Sequence, residues 1–361
     1  MTEKRVLLLH AYSSDNRGDG LLVDESLSFI REAYGADTRI DLVTSYPDSF
    51  QYTNLRTFKS KPSRSGYSRS YLRLLVSRFG SYDAVVGVGG GYLRLGTPVE
   101  SLKTLVVMGP QLIAAALSPV RTVYLPQSIG PARFGFRAPL RALIRRLDKV
   151  WVRDDRSLAE FQGKNVHRAS DMALLSMKRQ RIEFGTQVHP VMSVREHRGS
   201  VPERARLLAN RFERFDGYVQ SAVAGNDDTD AVASLRPEKL CTFTELMVAP
   251  TEARVIVAVR LHAALMALAA GHYVIHLAYE RKGFGAFEDL GLGEFVFNVH
   301  NFDVQNVEDM VRTLLCDRTA RQRYDTFFED SKLAIQASRR DVLASLDPST
   351  GNNIIWGDVE C

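Results

Sequence analysis

The chain has 361 residues, of which 45% are hydrophobic and 25% are charged, and its formal net charge is +5. These proportions are typical of a globular protein and exclude the disordered, fibrous and disulfide-framework classes. The length is sufficient for two domains, each with its own core. The three cysteines form no CxxC or Cys/His pattern, so we expect no zinc site and a cytoplasmic location.

The first half predicts a parallel sheet. Runs of apolar, β-type residues alternate with helical patterns, beginning with RVLLLHAY, which is too short for a signal peptide, and a helix over residues 21–34. Because the strands are apolar without a period of two, we expect both faces of the sheet to be covered. Later strands are predicted in RIDLVTS, DAVVGVGGG, RTVYLPQ and KVWVRDD, and later helices over residues 111–116, in an arginine-rich stretch and up to residue 161.

The same pattern restarts after residue 180. Strands are predicted in HPVMSVRE, YVQSAVAG, RVIVAVRLH and HYVIHLAY, with helices near residues 202–216, before Pro250, after residue 262 and over 304–346. The apolar run over residues 261–279 contains Gly271, His272 and His276, which argues against a membrane span. We predict an α/β protein with Rossmann-like domains at 1–180 and 181–346, facing across a cleft, and an irregular tail at 347–361.

Basic residues are unevenly distributed in the first half. No acidic residue occurs between Asp48 and Asp83 or between Glu100 and Asp148. In the second interval Arg137, Arg141 and Arg145 recur at helical spacing. This pattern fits a solvated helix face, or a surface for an anionic partner such as a phosphorylated substrate or a lipid surface. No nucleic-acid-binding signature is visible, so we expect no nucleic-acid partner.

Two glycine-containing segments follow predicted strands in the first half. GVGGG lacks the third glycine of a dinucleotide fingerprint, which argues against a nicotinamide cofactor. Gly89, Gly90 and Gly91 would instead allow backbone N–H groups to approach a ligand, or make a tight turn into a helix. In SSDNRGDG, Asn16 suits a positive φ, while Asp19 would cap the following helix or hydrogen-bond substrate hydroxyls.

The most informative stretch is VIVAVRLHAALMALAAG, over residues 255–271. Arg260 and His262 lie where a strand becomes a helix, and the N–H groups of a helix N-terminus favour an anion. With Arg195 and Lys282 at the ends of neighbouring predicted strands, these residues predict a site for a small, highly charged anion. The acidic cluster at Asp227–Asp230 contains a DxD pattern but equally fits a solvated loop, and we predict no metal site.

Taken in order, the motifs resemble the polysaccharide pyruvyltransferase family over about residues 5–295. This resemblance implies a two-domain fold like that of GT-B glycosyltransferases, and transfer of the pyruvyl group of phosphoenolpyruvate onto a sugar as a ketal. One departure is Gly271-His272-Tyr273, where the family often has a proline. The motifs that carry the resemblance are NRGDG, GVGGG, LPQSIGP, VWVRDDRSLAEF, SDMALL, VMSVRE, RLHAALMALAAG and LAYERKGFG.

The resemblance also implies roles for individual residues. Arg195 and Arg260 would bind the carboxylate and phosphate of phosphoenolpyruvate, with Lys282 as a weaker third cation. Gln127 of LPQSIGP and Tyr279 of the YxxK pattern would also bind substrate. No cofactor is expected, because phosphoenolpyruvate is the co-substrate.

The expected chemistry is acid catalysis. His262 would protonate the enol carbon, which allows a sugar hydroxyl to attack its neighbour. The general base is not identified, and Asp19 and Asp171 are its candidates, although Asp171 would equally serve as a helix cap.

The N-terminal domain would bind the saccharide acceptor. An acceptor linked to a lipid diphosphate would place the protein peripherally at the inner face of an anionic membrane, with Arg137, Arg141 and Arg145 as contacts. The product would be a cell-surface polysaccharide or its precursor. The alternatives are a nucleotide-sugar-dependent glycosyltransferase of the same architecture and a non-catalytic glycan-binding protein.

Overall fold

The structure is a computed structural model, and it describes residues 3–50, 55–185, 189–197, 199–222 and 227–347. By its internal contacts the chain divides into two compact units. The first unit contains residues 1–15, 19–175 and 336–361, and the second contains residues 16–18 and 176–335. The predicted tail therefore lies outside the described residues, except for Asp347.

The first unit contains a parallel sheet with eight strands among its described residues, in the order β3-β2-β1-β4-β6-β7-β8, with β5 paired to β6. Its strands are β1 (Arg5–Ala11), β2 (Arg39–Thr44), β3 (Arg56–Lys59), β4 (Ala84–Gly87), β5 (Gly90–Leu95), β6 (Arg121–Ala132), β7 (Lys149–Val152) and β8 (Val166–Arg168). Its helices are α1 (Arg17–Tyr34), α2 (Arg69–Val76), α3 (Pro98–Lys103), α4 (Gly109–Ala116), α5 (Arg137–Ile144), α6 (Asp155–Glu160) and α7 (Met172–Leu175). A π-helical turn, Thr104–Met108, joins α3 to α4.

The core of this unit confirms that continuous apolar runs form the buried strands. Val6, Leu7, Leu8 and Leu9 of β1 are completely inaccessible to solvent, and β1 pairs in parallel with both β2 and β4. Burial on both faces explains why no alternation of polar and apolar residues is visible.

The second unit contains a parallel sheet in the order β11-β10-β9-β12-β13-β14. Its strands are β9 (Val191–Ser193), β10 (Asp216–Tyr218), β11 (Leu240–Cys241), β12 (Val255–Ala258), β13 (Tyr273–Ala278) and β14 (Val296–Asn298). Its helices are α8 (Glu203–Ala209), α9 (Thr229–Ala233), α10 (Leu261–Ala269), α11 (Arg281–Asp289), α12 (Val304–Cys316) and α13 (Arg318–Leu346), the last of which continues into residues of the first unit. Two parallel sheets with helical connections confirm the predicted mostly parallel α/β class with two Rossmann-like domains.

Four local predictions need correction. The first helix begins at Arg17 rather than residue 21, because Asn16 occupies the cap position and the helix-weakening Gly18 and Gly20 obscure its start. The triple glycine leads into β5 and not into a helix. The helix predicted over 202–216 ends at Ala209. The charged helical region predicted over 304–346 is interrupted at Asp317 and consists of two helices.

Part of the predicted strand YVQSAVAG, residues 223–225, lies outside the described residues. Within the described ranges, none of the helices combines the length and the apolarity that crossing a bilayer requires.

Candidate functional site

The predicted cationic residues follow three adjacent strands of the second unit. Arg195 comes two positions after β9, Arg260 two positions after β12, and Lys282 four positions after β13. The sheet order places β12 between β9 and β13, and all three strands are parallel. Their carboxyl ends therefore meet at one edge, so the sequence correctly predicted a common edge for these residues.

Arg260 is the N-cap residue of α10, and its guanidinium contacts the carboxylate of Asp228 with two nitrogens. The Nη2–Oδ1 distance is 2.6 Å, and the Arg260 and Asp228 side chains are only 12% and 2% exposed. Burial raises the pKa of Asp228, and the hydrogen bond from Arg260 opposes that shift. The arginine predicted to bind an anion therefore has an internal carboxylate partner that fixes the direction of its guanidinium.

Arg195 lies near the pair of Arg260 and Asp228. Its Nη1 donates to the hydroxyl of Tyr279 over 3.1 Å, and its charge also acts on Asp228. The rings of Tyr279 and His197 lie 4.9 Å apart, and Nδ1 of His197 is 3.0 Å from Nε2 of His300. Contacts thus connect Arg195 with one tyrosine and two histidines at the carboxyl edge of this sheet, and the charge of Arg195 acts on the neighbouring pair of Asp228 and Arg260.

His262 lies in the first turn of α10 and packs against the segment 16–18, which belongs to the second unit by its contacts. A Cβ added to Gly18 would lie 2.3 Å from Nδ1 of His262. The Gly18 N–H donates to Oδ1 of Asn16 over 3.2 Å, and Arg17 donates to the hydroxyl of Tyr218 over 3.3 Å. The motif NRG therefore supports the imidazole of His262, and Asn16 shapes that turn.

Two other histidines of this sheet have structural roles: His276 lies within β13, and His272 precedes β13 at the opposite, amino edge. Burial lowers the pKa of His276 to about 4, and its Nδ1 is 2.8 Å from the carbonyl oxygen of Ala258. Burial also lowers the pKa of His272 to about 4, and its Nδ1 accepts from the N–H of Arg254 over 3.1 Å. His272 is therefore neutral near pH 7, and the residue after it, Tyr273, occupies the position where the family often has proline.

The first unit has a different site at the carboxyl edge of its sheet. A cavity of about 450 Å³ is lined by residues that follow β1, β2, β3 and β4. Asp19 and the backbone of Gly89, Gly90 and Gly91 are in its wall. Such a volume is in the range of small-ligand sites. The apolar part of the wall consists of Leu22, Val23, Val88, Val107 and Met108.

Two partly exposed tyrosines stand in the wall of this cavity. The rings of Tyr12 and Tyr46 are 5.2 Å apart and nearly perpendicular, and both residues line the cavity. Nζ of Lys61 donates to the Tyr46 hydroxyl over 2.8 Å, and this hydrogen bond lowers the pKa of Tyr46. Burial raises the pKa of Tyr12 to about 12. Tyrosines of this kind offer both an apolar ring face and a polar hydroxyl to a ligand.

His10 is the buried polar residue of the same cavity. It has a left-handed φ of 70°, its ring stacks on Tyr92 at 4.5 Å, and its Nε2 is 2.8 Å from the Tyr124 hydroxyl. Burial lowers the pKa of His10 to about 3. Within the described part of the chain, no group hydrogen-bonds its Nδ1. The neutral ring therefore keeps one buried nitrogen without a hydrogen-bond partner among the described residues.

The remaining predicted residues of the first unit lie outside this cavity. Gln127 is completely buried in β6, and it is not among the residues that line the cavity. Asp171 forms a buried ion pair with Arg153 and accepts from the N–H of Ala173, which fits the predicted cap. Arg137 and Arg141 donate to the carbonyl oxygens of Glu160 and Gln162, respectively.

The described residues include one group that could hold a metal ion, consisting of His189, Asp216 and Glu238. Nη2 of Arg254 lies 2.9 Å from the Asp216 carboxylate, and Arg214 pairs with Glu238 at 2.5 Å. Because guanidinium groups already neutralise both carboxylates, this group does not fit a cation site. The DxD cluster does not fit one either, since Asp228 pairs with Arg260.

Sequence reasoning missed Asp228 as a partner of Arg260, and it missed His10, His197 and His300 entirely. The acidic cluster was a visible signal for Asp228, although it was weighed only as a metal site. The two histidines of the second unit are 103 positions apart, and only the order of the strands brings them together.

Comparison with known proteins gives both a family and a fold. The model of the family described as "Polysaccharide pyruvyl transferase" matches residues 16–281. No curated protein sequence matches the chain.

Among solved structures, a glycosyltransferase from Rickettsia africae ESF-5 is similar with a TM-score of 0.60 at 9% identity, covering 98% of this chain and 100% of that one. The structure of TcCGT1 in complex with UDP has a TM-score of 0.54 at 12% identity, and the match covers 98% of this chain and 100% of that one. The lipopolysaccharide outer core galactosyltransferase WaaB has a TM-score of 0.52 at 8% identity, and the match covers 95% of this chain and 99% of that one. At such identities the likeness shows the GT-B fold alone.

Proposed function

The chain belongs to the polysaccharide pyruvyl transferase family, and on that premise we propose that it transfers the pyruvyl group of phosphoenolpyruvate to two hydroxyls of a sugar. The product is a pyruvate ketal in a cell-surface polysaccharide or in its lipid-linked precursor. The observation that supports this reaction best is the cluster of cations at the carboxyl edge of the second sheet, with His262 in the first turn of α10.

Phosphoenolpyruvate has a carboxylate and a phosphate on the same carbon, so its site needs several cations in a small volume. Arg195 and Arg260 are the two forked donors of the cluster, and Lys282 adds a third charge that is partly neutralised by Glu280 at 3.0 Å. The N-terminus of α10 lies at the same edge, and the positive end of its helix dipole favours an anion there. Asp228 keeps the Arg260 guanidinium in place before the donor arrives.

In the proposed reaction, His262 gives a proton to the methylene carbon of phosphoenolpyruvate. The neighbouring carbon becomes electrophilic, a sugar hydroxyl attacks it, and the bond to the phosphate oxygen breaks. A second hydroxyl then attacks the same carbon and closes the ketal. Of the two hydroxyl protons, one restores His262 and the other leaves on the phosphate, so that the atoms and charges balance. The arginines stabilise the departing phosphate.

We assign the acceptor to the cavity of the first unit. The exposed rings of Tyr12 and Tyr46 suit the faces of a sugar, while Asp19 and Nδ1 of His10 suit its hydroxyls. Asp19 would also serve as the general base for the attacking hydroxyls, because the other carboxylate that lines the cavity, Glu100, is paired with Arg94.

Phosphate release from phosphoenolpyruvate tests the reaction. The purified protein is incubated with a panel of acceptors containing galactose, glucose or N-acetylmannosamine, and phosphate and ketal are followed by phosphorus and proton NMR. We expect release only with an acceptor, and a loss of about 100-fold or more in His262→Gln because the proton donor is removed. Calorimetry should show that this variant keeps its affinity for phosphoenolpyruvate.

The matched control is His167→Gln, a partly buried histidine of β8 in the first unit, which should retain full activity. Wild-type rates in His262→Gln would refute the role of that residue. If phosphoenolpyruvate neither binds nor reacts, the donor assignment is wrong, and binding of UDP would then favour a nucleotide-sugar-dependent glycosyltransferase.

A further inference from the structure

A second surface of the first unit carries an unusual number of exposed apolar side chains. Of the fourteen large hydrophobic residues that are exposed in the described chain, seven lie between residues 72 and 117. Val76 is 81% exposed, and Val99 and Leu102 are each 65% exposed. Isolated exposed apolar residues are ordinary, but a group of this size marks an interaction site.

These residues are arranged by the helices that carry them. Val99, Leu102 and Leu105 follow one another at three-residue spacing through α3 and the π-helical turn. Ile113 and Leu117 lie four residues apart at the end of α4. Because such spacings place side chains on one side of a helix, each element turns an apolar face outward.

Helix α2 belongs to the same surface. Its Leu72 and Val76 are exposed at four-residue spacing, while Tyr71 and Leu74 are buried. The hydroxyl of Tyr67, just before α2, donates to the carbonyl oxygen of Val106 over 2.5 Å, which attaches this helix to the π-helical turn. We refer to α2 together with residues 98–117 as the α2–α4 surface.

The charges of this region are mostly positive. Residues 61–117 contain seven lysines and arginines and two acidic residues, and one of these acids, Glu100, is paired with Arg94 at 3.2 Å. Arg69, Arg73 and Lys103 are exposed on the same helices as the apolar side chains. Exposed apolar residues among basic ones are typical of surfaces that insert shallowly into an anionic membrane.

We propose that the α2–α4 surface docks on the surface of an anionic lipid bilayer. The arginines and Lys103 contact lipid head groups, and the leucine and valine side chains enter the boundary of the acyl chains. Charge complementarity favours lipid over a second copy of the chain, because two copies would bring basic residues against basic residues. The arginines of α5 take no part, since Arg137 and Arg141 bind carbonyl groups of their own unit.

The α2–α4 surface is continuous with the cavity of the first unit. Lys103, Thr104, Val107 and Met108 line that cavity from the same segment whose other side chains face outward. If the cavity binds the acceptor, which rests on the proposed function, docking would bring its opening to a saccharide carried by a membrane lipid. The docking itself does not depend on that assignment.

Vesicle flotation tests the proposal directly. Purified full-length protein is mixed with vesicles of phosphatidylcholine alone or with 30% phosphatidylglycerol, at low and high salt. We expect flotation with the anionic vesicles at low salt and its loss at high salt. Since each basic residue at such a surface changes binding about fivefold, Arg69→Gln/Arg73→Gln should weaken binding to the anionic vesicles roughly 25-fold. Val99→Gln/Leu102→Gln should weaken it at least as much, because it removes the apolar anchor.

Two matched controls are available in the chain. Arg137→Gln/Arg145→Gln removes the same charge from α5, and Leu333→Gln changes a residue that is 78% exposed on α13. Both controls should float like the wild type, and circular dichroism should show that all variants are folded.

Absence of flotation at any composition, or equal losses in the controls, would overturn the proposal. So would a concentration-dependent dimer in light scattering that disappears in Val99→Gln/Leu102→Gln, because the surface would then bind a second copy. Since flotation needs no turnover, failure of the proposed reaction would leave this result unchanged.

Discussion

The carboxyl edges of the two sheets have the same topology but differ in chemical character. In the second unit, the strand ends carry arginines, a lysine and histidines, with Arg260 paired to the buried carboxylate of Asp228. In the first unit, the equivalent edge carries tyrosines, glycines, the neutral His10 and charged side chains of both signs around a cavity. The fold thus supplies the position of a site, and the few residues after each strand decide whether it suits a compact anion or an uncharged ring.

The largest expected effect is that a substitution at one edge changes the binding of the donor, phosphoenolpyruvate, while a substitution at the other edge changes only the binding of the acceptor. Arg195→Ala should weaken phosphoenolpyruvate binding about 100-fold, because it removes a forked cation from the donor site. Lys61→Ala, in the cavity wall of the first unit, should leave donor binding unchanged and raise the KM of the acceptor. Calorimetry with phosphoenolpyruvate and kinetics with the acceptor measure the two effects. Equal loss of affinity for phosphoenolpyruvate in both variants would contradict the assignment of the donor to the second unit and of the acceptor to the first.

The ion pair of the second unit should also matter for stability. Asp228→Ala leaves the mostly buried Arg260 guanidinium without its carboxylate, and we expect the free energy of unfolding to fall by about 3 kcal/mol. Asp227→Ala removes the exposed neighbouring acid and should cost less than half as much. Urea unfolding followed by circular dichroism measures both. A neutral effect of Asp228→Ala would mean that Arg260 is held by other groups.

The first unit should respond to pH through His10. Its pKa is lowered from 6.5 to about 3 in the folded protein, so the unfolded chain gains a proton as the pH falls below 6.5 while the folded one does not. Its stability contribution is therefore complete above pH 6.5 and is lost progressively toward pH 3. Between pH 7.5 and pH 4.5, protonation of this single group in the unfolded chain should lower the free energy of unfolding by about 2.5 kcal/mol.

His10→Phe keeps the stacked ring and should remove that share of the pH dependence in urea unfolding. Tyr124→Phe is the control, because it removes the hydroxyl beside Nε2 but leaves the histidine to titrate. If the free energy of unfolding of His10→Phe depended on pH as strongly as that of the wild type, the pKa of His10 would not be lowered in the folded protein.

The smallest expected effect concerns the support of His262. In Gly18→Ala the new methyl group would overlap Nδ1 of His262, and we expect kcat to fall about tenfold because the imidazole is displaced from its position. Gly109→Ala is the control, since its nearest neighbour would be 3.6 Å from the new Cβ. Full activity of Gly18→Ala would mean that the imidazole tolerates the shift.

The sequence was informative where a single strand and its turn carry the signal. The apolar runs predicted the parallel strands, and the run over residues 255–271 predicted that Arg260 and His262 follow a strand. The cations could be placed at one edge because strands of a parallel sheet end together. Phosphoenolpyruvate, the ketal and the roles of the individual residues remain predictions.

The sequence was uninformative where a contact depends on distant residues. Asp228 follows β10 and Arg260 follows β12, so their pairing depends on the sheet order and on two side-chain conformations. His10 reads as part of an apolar strand, and its burial against Tyr92 and Tyr124 is invisible before the strands are assembled. Short strands such as β3, β8 and β14 have too few residues for a clear period.

The last helix has a consequence for how this chain is made. Residues 336–346 of α13 belong to the first unit, where Arg339 pairs with Glu32 and Ser345 hydrogen-bonds the indole of Trp151. A ribosome that has finished β8 at Arg168 must translate more than 160 further residues before it reaches Gln336, where this segment begins. The first unit therefore completes its folding after the second has been synthesised, and chains stopped before Gln336 would emerge with the Trp151 indole uncovered, a surface that chaperones and proteases recognise.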